Sequence, residues 1–119
     1  MPVINSGSKF VTHATALTTT GDTDVYVVPN NFSSHVEHLM IANDNASNIN
    51  YTLKYYEADT TTTHTLFSSH AVSGKSFESV FTVDKPLFLH AGDKIIIAAG
   101  TANELTAVVA AEEFFEPHR

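Results

Sequence analysis

His35 and His38 stand three apart in the chain, the closest spacing at which two of its seven histidines could share a metal ion. In a strand that spacing sends the two imidazoles to opposite faces, so joint ligation would need a bulge between them. Asp22 with Asp24, and Asp44 with Asp59, could offer oxygens to calcium. They lack the glycine-spaced acidic loop such sites use, and turn formation accounts for them. Glu112 and Glu113 are adjacent on a strand pattern, which points them apart and rules against a cooperating carboxylate pair. His13, His64, His70, His90 and His118 are scattered and read as surface or interface groups. No serine sits in a Gly-x-Ser-x-Gly elbow, and no glycine-rich phosphate loop is present. The sequence therefore predicts no catalytic residue, no metal ligand set and no cofactor.

These residues must be carried by strands. Ile49, Tyr51, Leu53 and Tyr55 alternate with Asn50, Thr52, Lys54 and Tyr56, the pattern of a half-buried strand. Leu105, Ala107 and Val109 alternate in the same way, and Ile95 to Ile97 are three successive β-branched residues, stiff at χ1 and suited to a pleated surface. Further strand patterns cover Lys9 to Thr20, Asp24 to Val28, His35 to Ala42, Thr63 to Ser69, Phe77 to Val83 and Leu87 to Leu89. Leu39 and Ile41 share a face, with Glu37 nominally beside them and Val36, His38 and Met40 opposite. Turn chemistry separates the strands at Gly21-Asp22, Pro29-Asn30-Asn31, Asn43 to Asn48, Ser73-Gly74-Lys75 and Ala91-Gly92-Asp93. The segment from Pro86 to Phe114 reads as a closing hairpin. Short strands at this spacing predict an all-β fold, an antiparallel β-sandwich of jelly-roll or immunoglobulin-like type with about eight strands. Its core is expected to hold Leu39, Ile41, Tyr51, Leu53, Ile95, Ile97, Leu105 and Val109. Residues 1–9 read as an extended N-terminal arm and residues 10–119 as a single sandwich domain.

Composition limits the partners. With 119 residues the chain is one domain, and with no cysteine it has neither disulfides nor thiolate metal sites. The net charge of −7 argues against nucleic acid, whose affinity comes from clustered cations. No run of ~18 apolar residues and no apolar leader occur, so neither a membrane span nor a secretory signal is expected. Charged residues make up only 16% of the chain, which suits a lasting contact with another protein. The adjacent rings Tyr55-Tyr56 and Phe114-Phe115 must each offer one member outward on a strand. Together with Phe10, and with Val3 and Ile4 on the arm, they form the expected partner interface.

The segments HLMIANDNASNINYTLKYYEAD and PLFLHAGDKIIIAAGTANELTAVVAAEEF, about half the chain, resemble small β-sandwich virion proteins of tailed bacteriophages, notably of cyanobacterial and marine phages. The shared features are Ala42-Asn43 ending a strand, Asp59, Pro86-Leu87 with Leu89, the Gly92-Asp93 turn, and Asn103-Glu104-Leu105 leading to an acidic aromatic end. The resemblance implies a capsid decoration or cement protein, made in the bacterial host cytoplasm and carried on the virion surface. Its partner would be the major capsid protein or another virion protein, and it would assemble as a homotrimer. A neck, tail or fibre accessory protein is the alternative. A host-surface carbohydrate-binding module is a third reading, for which Tyr55, Tyr56 and Phe88 are the available rings.

Overall fold

The computed structural model describes residues 8–116, and among them it contains nine strands and no helix. The strands are β1 (Ser8–Leu17), β2 (Thr23–Val27), β3 (Phe32–Asn43), β4 (Ile49–Glu57), β5 (Thr62–Val72), β6 (Ser76–Phe81), β7 (Leu87–Leu89), β8 (Lys94–Ala99) and β9 (Leu105–Phe115). They form two antiparallel sheets. The first has the order β1-β9-β3-β6, with β7 also on β3, and the second has the order β2-β8-β4-β5. Consecutive strands mostly change sheets, and this pair of four-position sheets is a jelly roll, not an immunoglobulin-like sandwich. β6 and β7 divide one position beside β3, separated by a tight turn closed by a Thr82 to Lys85 bridge and followed by Pro86, which has no N–H to pair.

The period-2 patterns explain the core. Each inner face contributes every second residue, so Leu39, Ile41, Tyr51, Leu53, Ile95, Ile97, Leu105 and Val109 are all buried between the sheets. Leu17, Val36, Leu89 and Ala107 complete the same layer.

Three local expectations differ from the structure. The segment after Pro86 is no hairpin: β8 pairs with β2 and β4, while β9 pairs with β1 and β3. The residues between them arch across the gap between sheets, held by Asn103 N donating to Leu17 O at 2.9 Å and Gly100 N to Asn50 O at 2.6 Å. Both strands bury one apolar face, and two such faces are better covered by opposing sheets than by each other. Second, the register of β3 against β9 shifts between Val36 and His38. The bulge turns Val36 inward with Leu39 and Ile41 and leaves Glu37 outside, which reverses the expected placement of both. Third, β1 begins at Ser8, opposite Phe114, so Ser8 and Lys9 belong to the sheet. The rest of the expected arm, with Val3 and Ile4, lies outside the described residues.

Two buried polar side chains organise the ends of the sandwich. Asn43 Nδ2 donates to the carbonyls of Ser47 and Val72 at 2.9 and 3.0 Å and lies 3.2 Å from that of Ser73, while its Oδ1 accepts from Asn45 N at 2.9 Å. It thus ties the β3–β4 loop to the β5–β6 turn. At that turn only glycine fits, because a Cβ on Gly74 would lie 2.1 Å from Ala46 O. At the opposite end Asp93 accepts from the backbone N–H of Ala58 and His90, both at 2.9 Å, and from the Tyr55 hydroxyl at 3.2 Å. Gly92, at φ +85°, makes that turn possible. The Ala-Asn and Gly-Asp features of the sequence are therefore structural devices.

Candidate functional site

The two sheets present different outer faces. On the first, the register aligns Phe10 of β1, Glu112 of β9, His35 of β3 and Phe88 of β7 in one row across four strands. Phe10 is 73% exposed and Phe88 68%. Phe114, opposite Ser8 and Ser33, and Phe77, opposite Ala42, extend the apolar surface in both directions, and Phe77 is 61% exposed. Between these rings the outward positions include Ala14, Ala16, Val108, Ala110 and Met40, with the uncharged Thr12, Thr106 and Ser79 among them. Alternation makes this unavoidable: once Leu87 and Leu89 turn toward the core, Phe88 must face away. Exposed Val83 borders the same face beside Glu37 and His38.

On the second sheet the outward positions include Asn50, Thr52, Lys54 and Tyr56 of β4, Lys94 of β8 and, opposite it, the exposed Val27 of β2, while the edge strand β5 adds exposed Leu66 and Phe67. Lys54 Nζ pairs with Asp22 at 3.0 Å and Lys94 Nζ with Asp24 at 3.2 Å. Ile96, in register between Lys54 and Asp24, is only 8% exposed because these long side chains cover it. The Lys94 ammonium also lies 5.3 Å from the centre of the Tyr56 ring. The lysines of this face are thus already paired.

The expected interface residues divide accordingly. Phe10 and Phe114 lie on the outer face of the first sheet. Phe115 follows them at the strand end, half-exposed, with its ring edge-on to Phe32 at 5.5 Å. Neither Phe114 nor Phe115 is buried: Phe114 faces outward, and Phe115, on the inward side of β9, lies beyond Glu113, the last buried position, where Phe32 meets it. Tyr55 and Tyr56 are on the other sheet. Tyr55 leans on the core, and burial followed by the Asp93 carboxylate pushes its hydroxyl up to about 12. Tyr55, Tyr56 and Phe88 do not meet on one face. Phe77, Phe88 and Val83 were absent from the interface expected from the sequence, although the partner residues in β6 and β7 alternate legibly enough to have exposed the first two.

The polar groups form separate clusters. Tyr26 of β2 reaches across the sandwich to donate to buried Glu113 at 2.6 Å and meets Ser34 Oγ at 2.8 Å, a bridge between the sheets. Burial, reinforced by Glu113, holds the Tyr26 hydroxyl protonated well above the ordinary tyrosine range. His70 Nε2 of β5 lies 2.8 Å from Glu78 of β6, closing the other side. Burial and then the Glu78 charge likewise raise the Tyr51 hydroxyl, which makes no hydrogen bond of normal geometry. On the first sheet, His35, Glu37 and Glu112 bring one ligand atom each within 4.8 Å of one another. The bulge places His38 on that same outer face, where its Nε2 lies 3.1 Å from Ser79 Oγ. Asp22, Asp24 and Asp44 are in ion pairs with lysines, Asp44 with Lys75 at 3.6 Å.

No family model matches the sequence, and no curated protein matches it. Among solved structures the chain is similar to one from Bacillus endospore appendages, described as a novel family of disulfide-linked pili. The two share 11% identity and a TM-score of 0.54, over 98% of this chain and 97% of that one. It is also similar to a chain from the acidic stable capsid of Helicobacter pylori bacteriophage KHP30, with 10% identity, a TM-score of 0.50, and coverage of 96% of this chain and 91% of that one. At these identities what is shared is the fold.

Proposed function

We propose that this protein is a virion structural subunit of a bacteriophage, a capsid decoration or cement protein that docks the outer face of its β1-β9-β3-β6 sheet on neighbouring virion subunits. One observation carries the reading: an extended sheet face set with exposed phenylalanines and small residues, with no lysine or arginine at its outward strand positions, beside an opposite face whose lysines are already paired. A monomer seldom leaves such a surface open. The jelly roll serves many functions and does not choose among them, but its occurrence in a phage capsid and in an appendage fibre supports a role in assembly. The chain has no cysteine, so no assembly it joins through these residues is disulfide-linked.

Cementing suits such a face. A subunit that touches several capsid proteins at once detaches only when all contacts fail together. A homotrimer would present three copies of the face. Residues 1–7, with Val3 and Ile4, would extend along a neighbour, and Phe115 at the strand end would pack against the partner. The test is copy number per particle, from gel densitometry of purified virions against the major capsid protein. A stoichiometric fraction of the capsid protein is the expected result. A few copies per particle would move the protein to the neck, tail or fibre, and absence from particles would overturn the virion reading.

A further inference from the structure

The apolar row on the first sheet is interrupted at its centre by a different chemistry. His35 and Glu37 of β3 and Glu112 of β9 are all half-buried, and their ligand atoms converge within 4.8 Å. Two carboxylates at that separation repel each other, and no lysine or arginine among the described residues pairs with either. Glu37 makes no hydrogen bond among the described residues, and Glu112 accepts one from the Ser8 hydroxyl. His35 Nε2 is buried away from water and has no hydrogen-bond partner. Such an atom costs free energy unless something meets it.

We propose that His35, Glu37 and Glu112 bind a divalent transition-metal ion, zinc foremost. The donor set of one imidazole and two carboxylates fits zinc, whereas calcium and magnesium take oxygen ligands almost throughout. The fold builds the site in three ways. Pairing of His35 with Glu112 in register puts two ligands on adjacent strands. The bulge between Val36 and His38 turns Glu37 outward beside them, as bulges do where a side chain is re-aimed. The Phe88 ring, stacked on His35 at 4.5 Å between centroids, fixes the plane of the imidazole, while the Ser8 hydroxyl orients Glu112. Three protein ligands leave the fourth tetrahedral position to water or to a donor from a neighbouring subunit. The ion would neutralise the carboxylates in the middle of an otherwise uncharged face. The site stands on its own geometry and holds whether or not that face docks on a capsid.

The experiment is calorimetric titration of the untagged full chain with zinc chloride in a non-chelating buffer, with cobalt(II) as a visible probe of the same site. One zinc per chain is expected, together with cobalt d–d absorption bands of a four- or five-coordinate ion. His35→Ala should abolish both. The near-isosteric Glu37→Gln and Glu112→Gln should each weaken zinc by at least about tenfold while leaving the circular dichroism spectrum unchanged. Absence of saturable zinc binding by the wild type would overturn the proposal. So would wild-type affinity in both glutamine variants, which would place the ion on another pair such as His70 with Glu78.

Discussion

The two outer faces of this sandwich are built from the same strand pattern and solve exposure differently. The β2-β8-β4-β5 face carries Lys54 and Lys94, each closed on an aspartate, and their stems shelter Ile96. The β1-β9-β3-β6 face carries Phe10, Phe77, Phe88 and Phe114 with alanines between them and nothing laid over them. Both inner faces supply the apolar core, so the difference lies in what each outer face carries. On the proposed function, the phenylalanine-set side is the one that meets a neighbour.

Substitutions in the layer the two faces share should have the largest effect on stability. Leu53→Ala removes a side chain that is fully buried against both sheets, and a loss of about 2–5 kcal/mol is expected from chemical denaturation. Next comes the polar bridge between the sheets. Glu113→Ala leaves the buried Tyr26 hydroxyl without its carboxylate acceptor, which should cost about 1–3 kcal/mol. Alkaline titration probes the same contacts. Tyr55 is raised from 10.0 to about 12 in the folded state, and Tyr26 and Tyr51 are raised as well. A raised folded value favours the neutral form, so their stabilising contribution is complete below pH 10 and is lost as pH climbs through about 12. Tyrosinate absorbance and unfolding should rise together in that window. Ionisation of these tyrosines near pH 10 without loss of structure would refute the burial argument. The smallest effect belongs to the lysine-set face: Lys94→Ala breaks an exposed ion pair with Asp24 and should change stability by only about 0–1 kcal/mol, less still in high salt.

Much of this was legible in the residues. The alternation of Ile49, Tyr51 and Leu53, and of Leu105, Ala107 and Val109, identified strands and core together, because a period of two fixes which side chains are buried. The turns at Asn43 to Asn48 and Ala91 to Asp93 were equally plain. Non-local pairing was less accessible. Nothing local in Lys94 to Phe115 says that β8 and β9 belong to opposite sheets, since the choice depends on β1, β2, β3 and β4. The bulge at Glu37 exists only relative to β9, and so the meeting of His35, Glu37 and Glu112 could not be read from spacing. The aromatic pairs were found as interface candidates by their adjacency alone. Adjacency does not say which ring of a pair faces out: Phe114 lies on an outer face, whereas Tyr55 leans on the core and its hydroxyl meets Asp93 from a distant part of the chain.

The central claim is that the phenylalanine-set face, and not the lysine-set face, meets the partner. It is tested most directly by comparing particle occupancy of two variants of equal thermal stability, Phe10→Ser with Phe114→Ser on the first sheet, and Lys54→Ser with Tyr56→Ser on the second. The first variant should be largely lost from purified virions while the second decorates them as the wild type does. Full occupancy by the first variant, or loss confined to the second, would contradict it.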